Sequence, residues 1–175
     1  MPTRAGQRCP ETGPRVPAPP RKAAVAIELL LSLPIWLIGL LAVVEFGNLF
    51  SNLQHVALAS RVGAKVAART SPLPASGCIS GSILSAIDDH LAAANITPSE
   101  VILEHNVGGT YVRLVQGASS FAGPSQQTLP TVGSYVRVTV CAPATQLTPN
   151  ILRSFGFDAQ AWDVAESTTF QYTLN

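Results

Sequence analysis

Two carboxylates stand inside the longest apolar stretch of the chain, and they are its strongest chemical signal. Glu28 lies near the start of the stretch and Glu45 near its end, with the uncharged segment 29–44 between them. An ionised carboxylate is costly in hydrocarbon, so an acid inside an apolar helix needs a partner charge or a function. An ammonium group near Glu28 would be such a partner, and the pair could set the position of one helix along another. In the alternative interpretation, Glu28 reaches the headgroups of a plain membrane anchor and Glu45 only marks the membrane boundary.

The other reactive side chains form no catalytic or metal-binding pattern. The three histidines fall on separate predicted elements without metal-ligand spacing. The pair Asp88-Asp89 lies on the polar face of a predicted helix, and Gly108-Gly109 lacks the lysine of a phosphate-binding loop. We therefore expect no enzyme activity, no metal site and no cofactor.

Charge and cysteine content indicate orientation and compartment. Five of the 11 basic residues but one of the 10 acidic residues precede Ala24, which predicts a cytoplasmic amino end and an exported remainder. The acidic excess of that remainder argues against nucleic acid as a partner. Cys78 and Cys141 would lie together in an oxidising compartment, where we expect a disulfide between them; two unpaired thiols are the alternative.

Composition divides the chain into a leader, a long helix and a head. Residues 1–23 form a basic, proline-rich leader without hydrophobic periodicity. Residues 24–70 are predicted to form one helix, transmembrane to about residue 50 and amphipathic beyond it. Its uncharged part, 29–44, would be about 24 Å long, and Pro34 should kink or loosen it.

Residues 71–175 are predicted to form a small α+β head. Apolar spacing predicts a helix over 80–94, and alternation predicts strands over 101–105, 111–116, 135–141 and 161–172. Turn, cap and proline residues predict a hairpin at 106–109, a loop at 117–134 and a short helix at 150–155. The predicted fold class is therefore α+β, with a long N-terminal transmembrane helix, one further helix, a short antiparallel sheet and a short helix in the C-terminal region.

Three motifs stand out in and around the apolar stretch: Ala23-Ala24-Val25-Ala26-Ile27-Glu28-Leu29, Leu33-Pro34 and Val44-Glu45-Phe46-Gly47. Through these motifs the chain resembles the TadE-like family of pseudopilins, which are minor pilin-like proteins of tight-adherence (type IVb, Flp) pilus systems. The resemblance is dense over residues 21–70 and looser afterwards. Pilin-like leaders usually carry glycine where this chain has Ala23, and the triplet here ends in an aliphatic residue instead of an aromatic one. Trp36 lies in the aliphatic run between these motifs, where we expect a contact with lipid or another helix.

The resemblance implies processing and assembly at the bacterial inner membrane. A prepilin peptidase would cut between Ala23 and Ala24, which makes Glu28 the fifth residue of the mature chain. The new α-amine would then lie one helical turn from Glu28 and could balance its charge. The implied partners are a major Flp-type pilin, other minor pseudopilins, the prepilin peptidase, an assembly ATPase with its platform proteins, and membrane lipid. The head would lie outside, and the subunit would join a pilus or secretion pseudopilus.

Two interpretations from other classes remain open. An uncleaved, signal-anchored domain that binds or senses a ligand outside the membrane has the same orientation. It leaves Glu28 and the small residues before it unexplained. A membrane-tethered enzyme would also fit the anchor, but no constellation of residues supports its chemistry.

Overall fold

The computed structural model describes residues 21–117, 128–158, 160 and 162–173, without the side chains of 21–24. Residues 1–20 of the predicted leader and 118–127 of the predicted loop lie outside these ranges. The chain divides into two compact units, residues 1–37 and 38–175. The described part of the first unit is the beginning of a long helix. The second unit contains the rest of that helix and the whole described head.

The long helix, α1, runs from Arg21 to Ala67 and continues through Pro34 without interruption. It is the one candidate membrane span among the described residues, by length and composition. Nearly every residue from 25 to 40 is exposed, and Trp36 is 78% exposed. An apolar surface this extensive is typical of a helix that lipid or other helices cover.

The later part of α1 buries one side against the head. A stripe of small and apolar residues lies on this side: Leu49 and Leu53 are partly buried, and the fully buried members are Val56, Ala59, Ser60, Gly63, Ala64 and Ala67. Arg61, Lys65 and Arg69 are exposed, and their four-residue spacing places them together on another side of the helix. The small side chains of the stripe allow the helix to approach its neighbours closely.

A second helix and a four-stranded antiparallel sheet complete the head, so the predicted α+β class is confirmed. The sheet order is β2-β1-β3-β4, and β1 and β2 form the predicted hairpin. A 3-10 helix, Ile151–Phe155, stands where a short helix was expected, and a further short helix was not predicted. The elements are α2 (Gly81–Ala92), β1 (Glu100–His105), β2 (Val112–Gly117), β3 (Tyr135–Pro143), the unpredicted α3 (Ala144–Leu147) and β4 (Asp163–Gln171).

Alternation along β3 separates two buried faces of the sheet. Val136, Val138 and Val140 belong to the hydrophobic core, together with α1 and α2. Arg137 and Thr139, between them, are also buried but lie on the opposite side, which we call the outer face. The core therefore fills the space between the helices and one side of the sheet, while the outer face carries buried polar groups.

The expected disulfide between Cys78 and Cys141 is not present, since both cysteines are free thiols. Cys78 is exposed just before α2, whereas Cys141 is buried on β3 between two residues of the core cluster. Because neighbouring strand residues point to opposite sides, Cys141 belongs to the outer face, away from α2. Burial, followed by the nearby Glu100 carboxylate, raises the pKa of the Cys141 thiol to about 11.

Close packing of α1 against α2 and β3 depends on Gly63. A Cβ at this position would lie 2.7 Å from Cγ1 of Ile87 and 3.3 Å from Cγ1 of Val138. We expect Gly63→Ala to lower the free energy of unfolding by about 1–3 kcal/mol, because Ile87 must move to make room. Thermal unfolding of the full chain in detergent, followed by circular dichroism, measures the change.

The matched control is Gly47→Ala on the same helix, because no atom lies within 4 Å of the added Cβ. This variant should unfold at the wild-type temperature or above it, since alanine favours helix over glycine. Equal unfolding temperatures for Gly63→Ala and wild type would contradict the close approach of α1 to α2.

Candidate functional site

The first buried residue along the described part of α1 is Glu45, whose side chain is 1% exposed. Its Oε2 accepts a hydrogen bond of 2.7 Å from the backbone N–H of Leu152. Leu152 lies in the 3-10 helix, and the first N–H groups of a helix have no carbonyl partner within it. A charged acceptor forms a stronger bond with such a group than a neutral one does. Glu45 therefore holds the segment after α3 against α1.

Two further contacts attach the same segment to α1. The side-chain amide of Asn52 donates to the carbonyl of Leu147 at 2.8 Å, where α3 ends. The ring of Phe46 meets that of Phe157 edge-on, with centroids 5.8 Å apart. We call these three residues of α1, together with the segment 147–157, the junction. It joins the helix to the head through one buried charge, one amide and one aromatic pair.

The junction gives Glu45 a structural contact in addition to its position at the end of the apolar stretch. The glutamate lies near the C-terminal end of the apolar stretch, and its partner is a backbone group far away in sequence. Its second oxygen, Oε1, is buried and has no hydrogen-bond partner among the described residues. A sequence signal existed, because Glu45 and Asn52 are two helical turns apart and therefore share one side of α1.

The other predicted site residues do not join the junction's hydrogen bonds. Ala23 and Ala24 lie within α1, but their side chains are outside the described set. The roles predicted for these residues in processing, register and lipid contact therefore stay predictions. The predicted residues at exposed positions of α1, where lipid or a neighbouring helix could meet them, are Glu28, Leu29, Pro34, Trp36 and Gly47.

A second candidate site is a cavity of about 810 Å³ on the outer face of the sheet. Its lining includes Glu104, Arg137 and Tyr111. The buried Glu104 and Arg137 form an ion pair, with Oε2 and a guanidinium nitrogen 3.5 Å apart. Arg137 also donates to the hydroxyl of Thr169 at 3.0 Å, and the Tyr111 hydroxyl donates to Oε1 of Glu104. This arrangement can hold a small polar ligand.

The structure brings together two histidines that the sequence separates. His55 on α1 and His90 on α2 have ring centroids 6.3 Å apart. His90 is half-buried, and its enclosed Nε2 has no hydrogen-bond partner among the described residues. His105 lies with Nε2 3.0 Å from the carbonyl oxygen of Pro74. Within the described ranges, no group of three or more His, Cys, Asp or Glu residues could hold a metal ion.

Comparisons with protein-family models, with curated proteins and with solved structures find no match to this chain. The resemblance to TadE-like pseudopilins therefore depends on its motif residues, at 23–29, 33–34 and 45–47.

The buried hydrogen bond at the junction predicts different effects for two substitutions of Glu45. Glu45→Ala leaves the Leu152 N–H buried without an acceptor, so the free energy of unfolding should fall by about 1–3 kcal/mol. Glu45→Gln retains a side-chain oxygen that can accept the bond and should lose less. Thermal unfolding in detergent and amide hydrogen exchange at Leu152 measure the two effects. Unchanged exchange at Leu152 in the alanine variant would show that Glu45 does not hold the segment.

The outer-face network predicts a shifted titration of Tyr111. Burial, followed by the hydrogen bond to Glu104, raises the pKa of the Tyr111 hydroxyl to about 12. An unfolded tyrosine titrates near about 10, so this group's contribution to stability is complete below that pH and is lost as the pH rises towards the folded pKa.

Glu104→Gln should therefore lower the pKa of Tyr111, because it removes the carboxylate that accepts the hydrogen bond. NMR titration of ring-labelled tyrosine follows the transition, and Tyr111→Phe assigns the signal. Arg113→Gln serves as the control, since Arg113 lowers this pKa and its removal should act in the opposite direction. An identical midpoint in wild type and Glu104→Gln would contradict the network.

Proposed function

We propose that this chain is a membrane-anchored pseudopilin or minor pilin that takes part in assembling a tight-adherence (type IVb, Flp) pilus or secretion pseudopilus. The observation that carries the proposal is α1. One helix of 47 residues begins with an exposed apolar surface and ends in the buried core of the head. A subunit that passes from a bilayer into a fibre needs an apolar rod that moves together with its head.

The chemistry of Glu28 supports the same function. Its side chain is exposed on an apolar surface, and no other charge follows before Glu45. Cleavage after Ala23 would create an α-amine four residues away, about 6 Å along a helix. In a low dielectric, this ammonium and a Glu28 carboxylate on the same or a neighbouring subunit attract each other strongly. Such a pair would set the axial register of stacked helices.

The junction supports a mechanical role for the helix. Glu45, Phe46 and Asn52 attach the segment after α3 to α1. The head is therefore held on the helix by specific contacts in addition to its apolar core. Because the head cannot slide along α1 without breaking a buried charged hydrogen bond, the register of the helices also sets the position of the heads.

The proposed cellular setting follows from this function. The protein would cross the bacterial inner membrane once, with its amino end in the cytoplasm and its head outside. Prepilin peptidase would process it, and an assembly ATPase with platform proteins would act on it. Its neighbours in the assembly would be a major Flp-type pilin and other minor pseudopilins.

A second candidate function is an uncleaved, signal-anchored domain that binds a small polar ligand. The observation that favours it is the outer-face cavity, where the buried Glu104–Arg137 pair offers both an acceptor and a donor. This candidate requires the same anchor but gives no role to Glu28. The state of the amino end therefore distinguishes the two functions.

We expect protein purified from membranes of a strain with an active prepilin peptidase to begin at Ala24. Intact-mass measurement reads the amino end directly. Ala23→Leu, which places a branched side chain where such peptidases accept a small one, should keep the whole leader. An intact leader on the wild-type chain would count decisively against the pseudopilin and in favour of the anchored domain.

Glu28→Gln separates cleavage from register, because it removes the charge and keeps the size of the side chain. This variant should retain its cleaved amino end but lose cross-linking between neighbouring α1 helices in membranes and in sheared pilus fractions. Glu166→Gln, in the head, is the matched control and should cross-link like wild type. Wild-type assembly of Glu28→Gln would remove the proposed role of this carboxylate.

A further inference from the structure

The direction of β4 relative to α1 locates one end of the head. Ser60 and Thr168 share a hydrogen bond of 2.8 Å between their hydroxyls, and the Tyr172 hydroxyl donates to the carbonyl of Thr70 at 3.0 Å. The two elements therefore run in the same direction. From Thr168 back towards the N-terminus, the chain reaches Trp162 over about 20 Å of strand. From Ser60 back towards the N-terminus, α1 reaches Glu45 over about 22 Å of helix. Trp162 and Glu45 lie at the same end of the head.

Exposed aromatic rings are concentrated at this end. Trp162 is 76% exposed, Phe155 is 53% exposed and Phe157 is 49% exposed. Phe155 and Phe157 belong to the junction segment, and Phe157 packs against Phe46 of α1. We call Phe46, Phe155, Phe157 and Trp162 the aromatic rim. Large exposed rings gathered in one region indicate a surface that something covers.

The length of the apolar stretch indicates what covers the rim. Residues 25–44 form about 30 Å of helix, which equals the hydrocarbon thickness of a bilayer. Glu45 follows immediately, so the outer edge of the hydrocarbon would lie at the junction. Tryptophan and other aromatic side chains favour this interfacial depth, because one part of the ring system meets lipid and another meets water.

We propose that the aromatic rim lies among the lipid headgroups, so that the junction segment rests on the outer surface of the membrane before assembly. This inference rests on the membrane anchoring that the proposed function requires. The partner is a phospholipid bilayer, because the rim continues directly from the lipid-facing surface of α1 through Phe46. Arg153, in the same segment, lies 4.0 Å from a carboxylate oxygen of Asp158 but keeps its side chain 74% exposed, so its guanidinium group can also meet lipid phosphates.

The chain carries its own probes for a test, since its two tryptophans are Trp36 and Trp162. Trp36→Phe leaves the rim tryptophan as the single fluorophore, and Trp162→Phe leaves the one near the middle of segment 25–44. Each full-length variant is placed in phosphatidylcholine vesicles whose acyl chains carry bromine either close to the headgroup or close to the chain end. Bromine quenches tryptophan at short range, so the pair of lipids reports depth.

We expect shallow bromines to quench Trp162 about twofold more strongly than deep bromines, because the interface is its favoured depth. Trp36 should show the opposite preference. The proposal would be overturned if aqueous iodide quenches Trp162 freely and the lipid bromines do not quench it. Quenching of Trp36 by the deep bromines in the same experiment would still support the membrane anchor. A Trp162 protected from both quenchers would overturn it in favour of a protein neighbour on the rim. Without deep quenching of Trp36, both the anchor and the rim proposal fail.

These outcomes are distinct from a failure of the pseudopilin function. An uncleaved amino end leaves a membrane anchor in place, and the rim would still meet the headgroups. Phe155→Ser in the Trp36→Phe background gives a further check, because a weaker rim should reduce the shallow quenching of Trp162. Arg113→Ser, exposed on β2, is the control and should leave this quenching unchanged.

Discussion

A carboxylate within an apolar helix must find a partner, and in this protein Glu45 finds one in a backbone N–H group. The bond to Leu152 joins residues 107 positions apart and is enclosed on all sides. A buried charge without a hydrogen bond would be strongly destabilising. The helix can therefore carry Glu45 only where the head supplies the donor. This constraint determines where α1 changes from a rod with an exposed apolar surface into a structural element of the head.

The two parts of α1 follow different packing rules. Up to about residue 44, large apolar side chains are exposed, and their surface suits lipid or neighbouring helices. After Glu45, small residues on one side allow α2 and the sheet to approach, and at Gly63 the space for even a Cβ is missing. The sheet itself is buried on both sides of β3, with valines towards the helices and a polar network on the outer face. The head is therefore held by an apolar layer and oriented by a few buried polar contacts.

These two parts of α1 suit the proposed function, in which a subunit leaves a bilayer and enters an assembly. The exposed apolar surface can exchange lipid for neighbouring helices without exposing new hydrocarbon to water. The head remains attached because the junction and the core belong to the same helix. The rim of aromatic residues beside the junction lies at the place where such an exchange would begin. The outer-face cavity has no part in this role, and it is the feature that supports the second candidate function.

Much of the fold could be predicted from the sequence, because helix and strand formation depend on the spacing of neighbouring residues. The apolar stretch, the amphipathic continuation of α1, the hairpin of β1 and β2 and the alternation of β3 were all visible in that spacing. Contacts between remote residues were not. The partner of Glu45, the approach of His55 to His90 and the placement of Cys141 on the side of β3 away from Cys78 all depend on how whole elements pack. The sequence by itself determined an apolar rod followed by an α+β head. Only the tertiary structure decided which buried groups meet, because that depends on the layering of helices and sheet, and local periodicity carries no information about it.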